Sequence, residues 1–296
     1  MKLLLSCLVA GAIPMALAHP WRRQASNTTY FFTLGNSYTQ TGFSTTGEQP
    51  SPSNPMGNPP LGTGTTTGGA NWVGYLTTEQ NASLVLSYNL AIGGATIDDA
   101  LVASYAGDLV QQVDTFEQTY SSKPESAPWT SGNAVFGFWI GINDIGNAYY
   151  NTDANTFVPQ LMDRLGSLVQ QIIDAGGRKF LFLNVPPTSR SPMFIAQGEA
   201  VMEQHAAYVE VYNQQLESLA TSLNSNATGV TAIVYDSWTF MTAVLDDPTE
   251  YGFPDATCIN PDGISCVWWN DYHPSAKYQQ LQAEDMKAVV APLGAW

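Results

Sequence analysis

Three segments, far apart but in a fixed order, carry the residue types of an acyl-transfer site. Gly35-Asn36-Ser37 follows an apolar strand-like run, Gly141-Ile142-Asn143-Asp144 follows another, and Asp271-Tyr272-His273-Pro274 lies near the C-terminus. A serine hydroxyl becomes a good nucleophile when a neighbouring base takes its proton, and the tetrahedral intermediate needs donors aimed at its oxyanion. Ser37 supplies the nucleophile, His273 the general base and Asn143 an amide donor, with Asp144 capping the turn. The chain has three histidines. His19 adjoins an N-terminal apolar segment, and His205 sits in a helical pattern with Glu203, Gln204 and Tyr208 as a surface or packing residue. That leaves His273 as the base.

Two further groups complete the chemistry. The run Asn89-Leu90-Ala91-Ile92-Gly93-Gly94-Ala95 ends in glycines that let the backbone approach a ligand. A Gly93 or Gly94 N–H can therefore join the Ser37 N–H in an oxyanion hole. His273 also needs a partner for its other ring nitrogen. Asp271 stands two residues before it and Asn270 three. Alternate side chains of an extended segment share a face, which suits Asp271, whereas a turn brings in Asn270. A base that becomes cationic gains more from a carboxylate than from an amide, so Asp271 is the favoured partner and Asn270 the alternative. The chemistry needs neither a metal nor an organic cofactor.

Five apolar runs read as buried strands, at 30–34, 84–92, 134–140, 179–185 and 231–235. Helical patterns lie at 71–79, 109–120, 157–175, 196–223 and 275–290. Near-continuous apolar strands alternating with amphipathic helices predict an α/β fold: a three-layer α/β/α sandwich around a mainly parallel five-stranded sheet. In such sheets ligands bind at the carboxyl ends of the strands, where Ser37 and Asn143 fall. Residues 44–69, rich in Pro, Gly, Ser and Thr, form a long loop that either borders a substrate cleft or is a tolerated insertion.

Residues 1–18 have the form of a secretory signal, with Lys2, an apolar core and Ala16-Leu17-Ala18 as a cleavage site. Arg22-Arg23 then marks the end of a possible propeptide over residues 19–23, leaving 24–296 as a single domain that begins near His19 or Gln24. Removing Lys2, Arg22 and Arg23 makes the formal charge of −15 more negative still. That balance argues against a nucleic-acid partner, and no other segment has the apolar length of a membrane helix. No obligate protein partner is evident. Cys258 and Cys266 are expected to form a disulfide in an oxidising compartment, and Asn27, Asn81 and Asn226 are glycosylation sequons. Trp268 and Trp269 flank the His273 block; in an extended strand they point to opposite sides, so one lines the cleft while the other packs.

The ordered blocks resemble those of the GDSL/SGNH hydrolases across nearly the whole mature sequence. Ser37-Tyr38-Thr39, Asn71-Trp72, Asn89-Leu90-Ala91, Trp139-Ile140-Gly141-Ile142-Asn143-Asp144 and Trp269-Asn270-Asp271-Tyr272-His273-Pro274 are most similar to the secreted fungal acetylesterases of carbohydrate esterase family sixteen. The resemblance implies a flavodoxin-like SGNH fold, an extracellular serine esterase, and release of acetate from acetylated hemicellulose sugars through an acetyl-serine intermediate. The alternatives are a GDSL-type lipase or esterase for other acyl esters, and a catalytically impaired carbohydrate-binding protein. Two departures stand out: Asn36 replaces the Asp of the family's Gly-Asp-Ser block, and Asn270 replaces the Asp of Asp-x-x-His.

Overall fold

A computed structural model describes residues 28–296. The expected signal, propeptide and Asn27 sequon lie outside the described residues. The strands β1 (Thr29–Gly35), β2 (Val85–Asn89), β3 (Ala134–Trp139), β4 (Lys179–Leu183) and β5 (Thr231–Tyr235) form one sheet in the order β2-β1-β3-β4-β5. Every neighbouring pair is parallel, so all five carboxyl ends lie on one edge. Successive side chains of β1 serve opposite faces: Phe31 packs against Trp72 and Trp296, Phe32 against Phe116 and Trp129. A central strand covered on both faces is apolar throughout for this reason.

The helices are α1 (Trp72–Thr78), α2 (Leu109–Thr119), α3 (Ile142–Ala148), α4 (Ala154–Asp174), α5 (Pro192–Ile195), α6 (Glu199–Asn226), α7 (Ser237–Asp246) and α8 (Ala276–Val290). α1 packs on α8 over the Phe31 face, and α2, α4 and α6 pack side by side over the Phe32 face. The three-layer sandwich is thus as expected. Asn71, Asp108, Asp153, Asp236 and Ser275 each cap a helix by accepting a backbone N–H three residues on.

Local differences from the sequence reading have identifiable causes. β2 stops at Asn89 because the Asn89 Oδ1 accepts the Ala91 N–H at 3.0 Å and turns the chain. The helix expected over 196–223 is shifted by three residues: α6 starts after Gly198 and runs to Asn226, and the short α5 before it ends at Ile195. Helices α3, α5 and α7 fall outside the helical patterns of the sequence. Residues 44–69 are held by their own polar side chains, with the Asn58 Nδ2 donating to the Ser44 and Glu48 carbonyls. The loop borders the site directly, since the Thr66 Oγ1 donates to the Ser37 carbonyl at 2.7 Å. Cys258 and Cys266 are joined, closing the segment before the His273 block. Among the described residues no helix is long and apolar enough to cross a membrane.

Candidate active site

Ser37 stands just beyond β1 on a turn fixed from three sides. Gly35 has φ +149°, and a Cβ there would lie 2.2 Å from the Trp139 carbonyl oxygen, so only glycine lets the chain leave the sheet this way. The buried Gln112 of α2 grips the same residue: its Oε1 accepts the Gly35 N–H at 2.7 Å and its Nε2 donates to the Gly35 carbonyl at 2.8 Å. Beyond the serine, Asn36 Oδ1 accepts the Tyr38 N–H. The Thr39 carbonyl accepts from Asn71 Nδ2 at 2.7 Å and from Asn89 Nδ2 at 2.6 Å. Asn71 and Asn89 therefore pin the serine turn to α1 and β2. Sequence reading singled out neither for this role, nor Gln112. The available signal was an amide side chain inside an otherwise apolar strand or helix face.

The Ser37 Oγ and the His273 Nε2 are 2.8 Å apart. On the other side of the ring, Asn270 Oδ1 lies 3.1 Å from Nδ1. That same oxygen accepts the backbone N–H groups of Tyr272 at 2.9 Å and His273 at 2.7 Å. Two backbone donors can face only an oxygen, so the amide orientation is determined and Nδ1 must carry the ring proton. Nε2 is then the free base, poised to accept from Ser37. The favoured partner Asp271 is not the one in contact: its side chain is exposed and makes no hydrogen bond to the ring among the described residues. The segment is a turn rather than an extended strand, which brings the residue three before His273 under the ring.

Burial lowers the pKa of His273 to about 4 from an ordinary 6.5, and the negative charge of nearby Asp271 acts weakly in the opposite direction. Tyr38, itself fully buried, donates its hydroxyl to the Tyr272 carbonyl and ties the histidine loop to the serine turn.

The segment after β2 is hydrogen-bonded to both other segments that carry oxyanion candidates. Leu90 N–H donates to the Thr33 carbonyl and Ile92 N–H to that of Gly35, so the chain after β2 runs beside the serine turn. The N–H groups of Ser37, Gly93 and Gly94 have no hydrogen-bond partner among the described residues. Asn143 Nδ2 donates to the Ala95 carbonyl at 2.8 Å, leaving a second amide hydrogen. Its neighbour Asp144 is fully buried and accepts the Ile97 N–H at 2.9 Å. Asp144 thus joins α3 to the glycine segment rather than only capping its own helix, and burial raises its carboxyl to about 7.

The two tryptophans differ in burial. Trp269 is half-buried with its ring centroid 6.4 Å from that of His273. Trp268 is fully buried, donates its indole N–H to the Ala256 carbonyl, and is a core residue rather than a cleft residue. His205 is also core, wedged between Phe194 and Tyr149. Asn81 is half-buried and Asn226 exposed at the end of α6.

The geometry suits serine acyl transfer, and comparisons with known proteins place the chain in a family. The model of the GDSL-like lipase/acylhydrolase family matches residues 31–286. An acetylesterase of Thermothelomyces thermophilus is 41% identical over 273 residues, covering 91% of this chain and 90% of that one. An acetylesterase of Hypocrea jecorina is 25% identical, covering 88% of each chain. The crystal structure of a putative GDSL-like lipase from Parabacteroides merdae superposes with a TM-score of 0.54 at 16% identity, covering 90% of this chain and 96% of that one, and shares the fold. With a family model matched along nearly all of its described length and a relative sharing two-fifths of its residues, this chain belongs to the GDSL-like lipase/acylhydrolase family and is a carboxylic ester hydrolase.

Proposed function

We propose that this protein is a secreted acetylesterase that removes acetyl groups from acetylated hemicellulose oligosaccharides. The observation that carries the reading is the 2.8 Å contact between Ser37 Oγ and the unprotonated nitrogen of a histidine oriented by Asn270. His273 Nε2 takes the hydroxyl proton as Oγ attacks the ester carbonyl. The resulting oxyanion is held by the N–H groups of Ser37 and Gly93 or Gly94 and by the second amide hydrogen of Asn143. Donors of this kind contribute ~3–4 kcal/mol each in other hydrolases. Collapse breaks the bond to the sugar oxygen, which takes the proton from His273. Water, deprotonated by the same nitrogen, then attacks the acetyl-serine and releases acetate.

The acetyl group and the sugar are supported by the likeness to two fungal acetylesterases and by Trp269, a half-buried aromatic face beside His273. Secretion is supported by the N-terminal sequence pattern and by the disulfide. The test has two arms. Hydrolysis of 4-nitrophenyl esters should fall sharply above butyrate, and acetate should be released from acetylated xylo- or manno-oligosaccharides. A preference for long acyl chains would assign the site to lipid esters instead.

A further inference from the structure

A concavity opens on the same edge of the sheet as Ser37, where α6 passes the carboxyl ends of β4 and β5. It is a groove of about 560 Å³ and shares no residue with the Ser37–His273 site. Its base is prebuilt. The Asn213 side chain accepts from the Val185 N–H and donates to the Val185 carbonyl, both at 2.8 Å. The Asn184 Nδ2 donates to Asp236, while its Oδ1 accepts from Ser237 and from the Trp238 N–H.

Trp238 forms one wall and is only half-buried. The indole N–H groups of Trp72, Trp129, Trp139, Trp268 and Trp296 all donate to protein acceptors. Those of Trp238 and Trp269 have no hydrogen-bond partner among the described residues, and Trp269 is the indole beside His273. Of these two accessible indoles with unused donors, one thus lines the groove and the other stands beside His273.

The remaining lining selects the ligand class. Glu203, Glu210 and Asp236 offer carboxylate acceptors, and no lysine or arginine lines the groove. An anionic ligand would therefore be repelled. The carboxylates do not converge on a cation position either, since no group of three metal-ligating side chains occurs among the described residues. A neutral ring with an apolar C–H face for the indole and hydroxyls for the carboxylates meets both demands.

We propose that this groove is a remote sugar subsite that holds a neutral oligosaccharide chain while the Ser37 site acts on it. The inference rests on the reading of the substrate as an acetylated sugar. β4 and β5 lie two and three strands from β1, a lateral offset of roughly 10–14 Å, within the span of a short oligosaccharide.

The test is calorimetric titration of the full mature chain with xylohexaose and with mannohexaose, both unacetylated, alongside two variants. Trp238→Ala removes the aromatic wall. Ala207→Arg, at an exposed position of α6, fills the groove with a good helix former and leaves the core untouched. Both variants should weaken binding of at least one hexasaccharide by tenfold or more, with kcat/KM for 4-nitrophenyl acetate unchanged within twofold. Unaltered affinity in Ala207→Arg, or no binding of either sugar to the parent protein, would overturn the subsite. Failure to hydrolyse 4-nitrophenyl acetate would instead overturn the esterase reading and leave the binding result to stand separately.

Discussion

Replacing Asn270 should damage catalysis far more than replacing Asp271, although Asp271 carries the charge. Asn270 Oδ1 is the acceptor facing His273 Nδ1 and also receives two backbone N–H groups of the same turn. In the transition state the ring is an imidazolium, and a hydrogen bond from a charged donor contributes about 1.5–3 kcal/mol. Losing it in Asn270→Ala corresponds to a roughly 10- to 150-fold fall in kcat, with KM little changed. Asp271→Ala removes only an exposed charge acting at a distance, so the loss should stay within about threefold. Asn270→Asp provides a control with its own signature. A carboxylate at that position should raise the His273 pKa from about 4 by ~1–3 units and move the acid limb of kcat/KM upward with it. The assay is 4-nitrophenyl acetate hydrolysis across pH, with thermal melts to confirm folding. A larger loss from Asp271→Ala than from Asn270→Ala would refute the reasoning.

Two other outcomes follow from buried ionisable groups. His205 has neither ring nitrogen hydrogen-bonded, and burial lowers its folded pKa to about 4 against 6.5, so the unfolded chain takes up the proton first. Its contribution is intact above pH 6.5 and drains away as pH falls through about 4, by about 3 kcal/mol in all. His205→Phe should flatten the fall of Tm over that interval, and an unchanged slope would count against it. Asp144→Ala should lower kcat about tenfold by releasing Ile97 from α3, whereas Asp144→Asn, which keeps the acceptor, should lose much less. Equal losses would show that the carboxyl does not position the glycine segment.

Much of this was legible in the chain. Both-face burial makes strands such as Phe31-Phe32 continuously apolar, so the sheet could be read without a structure, and few histidines left His273 as the candidate base. What the sequence hid depends on the backbone path between close neighbours. Whether position 270 or 271 meets the ring depends on a turn, and that turn is itself held by the Asn270 side chain. Strand alternation separates Trp268 from Trp269 but does not say which packs; the choice falls to Trp268 because its indole reaches the Ala256 carbonyl. Helix α3 escaped notice because it starts from Gly141 at φ +110° without a side-chain cap. Its first turn also reads as site residues rather than as a helix.

The groups that pin the Ser37 turn are Gln112, Asn71 and Asn89, and the group that faces His273 Nδ1 is Asn270. All four are primary amides, which gain and lose no proton across the range in which proteins stay folded. Around them the chain carries a charge of −15, much of which disappears as its carboxylates are neutralised in acid. A latch built from amides is indifferent to that change and to ionic screening. Acidification therefore reshapes the surface field around the serine without loosening the bonds that aim it.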